Sequence, residues 1–177
     1  MIKLLSKLCW LEGGNMRKNI FFGLLILSLI LPQTCLAAGL AVNPAEIILE
    51  NVPLGKKVAV SALSGPNSKL NIKNKNGSSY TYTINIFYTA ETNNFLKEGY
   101  TDIPDVSWIY PEKKEIEIEG NSTKAVELYL KVPKNKKYAG KKYQAIIEVK
   151  NKPKSGDFFN FACQPVILFS TVTEKKK

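Results

Sequence analysis

The chain has 177 residues, with 25 Lys+Arg against 15 Asp+Glu for a net charge of +10, three Cys and no His. That length suits one ordinary domain. The lack of His excludes Ser-His-Asp catalysis and histidine-ligated metals, and three scattered Cys make neither a zinc site nor a disulfide scaffold.

Residues 1–15 precede a second methionine, Met16, and Glu12-Gly13-Gly14-Asn15 reads back as a purine-rich run suited to ribosome binding. Translation is therefore expected to start at Met16, with 1–15 a mis-annotated extension; the rival is an unusually long basic leader, which yields the same exported product. Residues 16–37 form a secretory signal peptide by pattern. Met16-Arg17-Lys18-Asn19 is basic, 20–31 is uncharged and apolar, and Cys35 and Ala37 precede a cleavage point before Ala38. Twelve apolar residues reach about 18 Å as a helix, too short for a bilayer of roughly 30 Å, so no stable membrane anchor is expected. Pro32-Gln33-Thr34 before Cys35 is not a lipobox. Cleavage removes Lys3, Lys7, Arg17, Lys18 and Glu12, which takes the net charge from +10 to +7 and leaves no Arg. Cys163 is then the sole cysteine, so no intrachain disulfide forms.

After Ala38 the pattern has period two. Strands are expected near 41–50, 56–63, 68–74, 79–89, 113–119, 124–132, 142–150 and 162–173, separated by Pro53-Leu54-Gly55, Ser64-Gly65-Pro66-Asn67, Asn76-Gly77, Gly120-Asn121-Ser122, Tyr138-Ala139-Gly140 and Lys154-Ser155-Gly156. Val126, Leu128, Leu130 and Val132 share one face, with Glu127, Tyr129 and Lys131 on the wet one. Tyr143, Ala145, Ile147 and Val149 alternate with Lys142, Gln144, Ile146 and Glu148. Residues 90–111 read as a long connection with a short strand around Trp108. The expected core is Trp108, Ile116, Ile118, Val126, Leu128, Leu130, Ile147 and Val149. The expected fold is all-β, an antiparallel sandwich of seven or eight strands over 38–173, followed by a basic tail at 174–177; a barrel is the competitor.

Val42-Asn43-Pro44-Ala45, Leu70-Asn71-Ile72-Lys73-Asn74, Ser107-Trp108-Ile109, 116–122, 126–133 and 140–147 follow one another in an order that resembles the immunoglobulin-like domain of exported bacterial surface and assembly proteins. That domain is related in fold to the N-terminal domain of periplasmic pilus chaperones, and the resemblance spans about residues 41–150. It implies an immunoglobulin-like sandwich and a role in protein assembly. Such a chaperone grips a subunit carboxylate with paired basic residues and normally has two domains. This chain has room for one and no Arg after the leader.

Two surfaces are candidates for binding. Tyr80–Tyr88 or Val166–Val172 could supply a strand that augments a partner's sheet, with Val166, Ile167, Leu168 and Phe169 as the candidate edge site. Lys131, Lys134, Lys136, Lys137, Lys141 and Lys142 form a cluster without an acidic residue, suited to an anionic polymer. Phe158, Phe159 and Phe161 either cap the core or form an aromatic lip, and Glu115, Glu117 and Glu119 either hold a hard cation or face solvent. Cys163 has no His or Arg near it in sequence and reads as a buried, inert thiol. No phosphate loop is present, and no catalytic residue, metal or cofactor is expected. The expectation is a non-catalytic, periplasmic or secreted module that contacts an envelope or extracellular protein. The alternative is a module for carbohydrate or anionic polymer at 131–142, with polysaccharide as a second partner class; export argues against nucleic acid.

Overall fold

The computed structural model describes residues 39–156 and 160–173. The leader and its cleavage point, Phe158, Phe159 and the 174–177 tail lie outside the described residues. In chain order the strands are β1 (Leu40–Asn43), β2 (Glu46–Val52), β3 (Val58–Ala59), β4 (Leu70–Asn74), β5 (Tyr80–Phe87), β6 (Thr101–Asp102), β7 (Ile109–Pro111), β8 (Glu115–Ile118), β9 (Thr123–Val126), β10 (Leu128–Leu130), β11 (Lys142–Asn151), β12 (Ala162–Cys163) and β13 (Val166–Thr171). Among the described residues a short α-helix, α1 (Val60–Ser64), and several single 3-10 turns interrupt them. The order is β1-β4-β9 in one sheet, β3-β10-β7 in a second, and β2-β13-β11-β5-β8 in the largest, with β6 and β12 on β11. Their inner faces share one core, in which Leu70, Ile72, Ile84, Leu128, Leu130, Ile147 and Phe169 are fully buried. The fold is a β-sandwich.

It is not wholly antiparallel. The first strand crosses between sheets at the cis Asn43-Pro44 bond, so that β1 pairs antiparallel with β4 while β2 runs parallel to β13. The expected 56–63 strand is also corrected. Only Val58 and Ala59 pair, with β10, and the chain then turns into α1. Val60 fills the core at 0 % exposure, and the Ser61 N–H and hydroxyl both donate to the Glu127 carboxylate, the former at 3.1 Å. Tertiary bonds override the alternating pattern here.

Glu127 likewise leaves the wet face assigned to it. Burial pushes its carboxyl up, but the Ser61 bonds and Lys69 at 3.5 Å outweigh that and hold it below the usual carboxylate range. It stands where one strand changes sheets, since Val126 pairs with Leu70 of β4 and Leu128 with Pro111 of β7. The 124–132 strand is therefore two strands, with both apolar ends buried. On β11 the expected outward residues Gln144 and Ile146 are buried as well. The 88–103 connection lies over them: the Gln144 amide donates to Phe95 C=O (2.9 Å) and accepts from Lys97 N–H (2.8 Å), and β6 pairs parallel at Tyr143 and Gln144.

Asn74 closes the other end of the sandwich. Its amide nitrogen faces the carbonyls of Ser78 (2.8 Å), Ile118 (3.0 Å) and Glu119 (3.1 Å), while its amide oxygen accepts from Asn76 N–H (2.9 Å). One buried side chain thus ties β4, the 75–78 turn and β8 together. Gly120 packs against that turn so closely that a Cβ there would lie 2.2 Å from Gly77 O, a backbone atom.

Candidate binding groove

The strand expected to offer a free edge does not have one. β13 lies between β2 and β11, paired with both, and Ile167, Leu168 and Phe169 are fully buried, with Val166 half-buried. Its backbone hydrogen bonds are spent inside the sheet, which removes Val166–Phe169 as an augmenting edge. Among the proposed core residues, Trp108, Ile118, Val126, Leu128, Leu130, Ile147 and Val149 are buried and Ile116 is half-buried.

An open edge lies elsewhere, on β5. β8 pairs with β5 only from Tyr80 to Thr83, and its last bond is Ile84 N–H to Lys114 C=O (2.8 Å). Backbone groups alternate sides along a strand, so Ile86 turns its N–H and C=O the same way, past the end of β8. Ile147, opposite Ile86 on β11, donates to Pro165 C=O (2.9 Å) instead, in keeping with that alternation. Across from this edge stands β7. Lys131 N–H donates to Trp108 C=O and Glu112 N–H to Glu127 C=O, both at 2.8 Å, so Ile109 and Pro111 direct their carbonyls away from β10.

Between the two edges runs a groove of about 470 Å³, walled chiefly by Ile84, Ile86, Phe87, Val106, Ile109 and Pro111. Lys114 stands at its end, and its ammonium has no ion-pair or hydrogen-bond partner among the described residues. The wall at 106–108 is fixed by Asp105, which accepts from Ser107 N–H (2.8 Å). The Ser107 bonds hold the Asp105 carboxyl below its usual range. Trp108, turned inward by this bend, meets Tyr138 and Tyr143 edge-on at 4.8 and 5.7 Å. A neighbouring hollow between β8 and β9 is blocked as a strand site, because the Lys124 ammonium donates to Glu117 C=O (2.8 Å) on the β8 edge.

The lysine cluster is exposed throughout and follows the 131–142 connection, which carries the chain from β10 in one sheet to β11 in another. The turn at Gly55 joins it, donating to Val132 C=O (2.7 Å) beneath Lys134. Lys137 and Lys142 lie over the rings of Tyr138 and Tyr100. The stacked pair Tyr110–Tyr129 is covered by the Lys57 ammonium, 3.8 Å from the Tyr129 ring centre, so it offers no bare platform for a sugar. Glu115 pairs with Lys152 (2.6 Å) and Glu117 accepts from the Ser79 hydroxyl (2.8 Å). The described residues contain no group of three His, Cys, Asp or Glu able to hold a metal. Cys163 is half-buried rather than buried, and desolvation raises its thiol. Phe161, also half-buried, lies against Gly39. No helix among the described residues is long and apolar enough to cross a membrane.

No protein-family model matches the chain, and no curated protein sequence does. Solved structures do match. One is the ASH/PapD-like domain 7 of human CEP192, with a TM-score of 0.52 and 9 % identity over 78 % of this chain and 88 % of that one. Another is a chain of the Salmonella enterica SafA pilin–SafB chaperone complex, with a TM-score of 0.51 and 8 % identity over 78 % of this chain and 57 % of that one. The chain thus spans little more than half of the second. At these identities the likeness is one of fold: the sandwich is PapD-like.

Proposed function

We propose that the chain is an exported, non-catalytic interaction module of the cell envelope, a single-domain relative of pilus chaperones that takes an extended segment of a partner protein along the β5–β7 groove. The observation that carries this reading is the β5 edge at 85–87, which is paired with β11 on one side but on the other has no strand partner among the described residues and faces a partly apolar trough. An extended segment there satisfies the free backbone groups of Ile86 and sets alternate side chains against the half-buried Ile86, Phe87 and Val106. The leader pattern at 16–37 supports a periplasmic or secreted location.

Ile86→Pro removes a donor that the sheet does not use and withdraws it from the partner. Tagged protein from the exporting host is expected to co-purify with an envelope protein. The Ile86→Pro variant, folded by circular dichroism, is expected to lose it. A triple Lys134, Lys136 and Lys137→Gln variant is expected to keep it at both about 50 and about 300 mM salt. Loss from the lysine variant, with retention by the proline variant, overturns the reading in favour of an anionic polymer.

A further inference from the structure

Phe95 is 92 % exposed, with Leu96 beside it at 48 %. The backbone of this loop is tied down at several points. Buried Gln144 grips the backbone on both sides of Leu96, Lys97 pairs with both oxygens of Glu46 at 3.1 Å, and the Asn94 amide donates to Gln164 (3.0 Å). A large apolar side chain on a pre-organised loop loses little entropy on docking, which is what an interface anchor requires. Apart from Lys97, which is paired with Glu46, the charges within four residues of Phe95 are acidic although the chain is basic. Glu91 and Glu98 lie within four residues of Phe95, Glu46 is tied to the loop through Lys97, and the Glu98 carboxylate has no partner among the described residues.

A two-fold contact of Phe95 against Phe95 would bring the acidic rims of both copies together, which like-charge repulsion opposes. The complementary surface on this chain is the β5–β7 groove, where half-buried Ile86, Phe87 and Val106 are interspersed with Asn85, Ser107 and Tyr110, and which is also lined by Lys114, without a partner among the described residues and with Lys113 next to it. Its volume of about 470 Å³ leaves ample room for one aromatic and one aliphatic side chain. We propose that the Phe95 loop of one copy seats in the β5–β7 groove of a second copy, with Glu98 of the first against Lys114 of the second. This rests on the reading of the groove as a binding site. Knob and groove are different surfaces, so the contact is head-to-tail and propagates unless it closes into a ring.

Sedimentation equilibrium of the purified protein over a range of concentrations tests it. The wild type is expected to show a mass that rises with concentration. Phe95→Ser, whose side chain is exposed and whose fold should be unchanged, is expected to associate about tenfold more weakly or worse. Glu98→Lys and Lys114→Glu are each expected to weaken association about threefold, and the double variant to recover it. A wild type that stays monomeric, an unchanged Phe95→Ser variant, or a double variant no better than either single one overturns the proposal. Partner capture that still depends on Ile86 in a monomeric protein would leave the functional reading standing while this one fails.

Discussion

Leu128→Ala is expected to lower stability by about 2–4 kcal/mol, while Lys131→Ala stays within about 0.5 kcal/mol of the wild type. Leu128 is fully buried in the first position of β10, immediately after the chain has changed sheets. The core cluster to which it belongs draws residues from all three sheets, so truncation leaves a cavity in a shared core. Lys131 is exposed, and its one described bond, N–H to Trp108 C=O, belongs to the backbone and survives the substitution. Urea melts of both variants measure the difference. Equal losses would contradict the inward row Val126, Leu128, Leu130 and Val132.

Asn74→Ala is expected to cost about 3 kcal/mol or more, from a polar rather than an apolar cause. The amide is fully buried and serves three carbonyls and one N–H across two turns and two sheets. Alanine leaves those groups without their partner, at roughly 1–3 kcal/mol for each buried group that water fails to reach. Asn74→Asp keeps the acceptor for Asn76 N–H but sets a carboxylate against the carbonyls of Ser78, Ile118 and Glu119, so it is expected to be no better than alanine. Thermal or urea unfolding decides this. A loss below about 1 kcal/mol would mean that solvent enters the 75–78 turn and replaces the side chain.

The strand pattern of this chain is legible because a side chain in a sandwich points either to the core or to water. Tyr80–Phe87 and Lys142–Asn151 follow from alternation, and Val166–Thr171 from its apolar and β-branched content. It misleads where a residue has a third environment. Gln144 reads as wet but lies beneath the 88–103 connection, and Glu127 reads as wet but receives Ser61 from an insertion more than sixty residues away. Alternation also says nothing about which strands become neighbours. The 166–169 segment is apolar because it is central, which is the opposite of an edge. The groove was invisible for a related reason: it arises where β8 stops short of β5 and β7 belongs to another sheet, a matter of strand length and pairing. Two signals nonetheless point toward it: Tyr80–Tyr88 is one of the two candidate augmenting strands, and Pro111-Glu112-Lys113-Lys114 marks a strand end with two cations before the next strand.

The central claim is that a partner protein lies along the β5 edge. A photo-reactive residue at Asn85, exposed on the groove rim, reports this in the exporting host; one at Lys150, exposed on β11, is the control. The account predicts an adduct with one envelope protein from Asn85, none from Lys150, and loss of the Asn85 adduct when Ile86→Pro is added. An adduct from Lys150 alone, or equal adducts from both positions that persist in the proline variant, would contradict it.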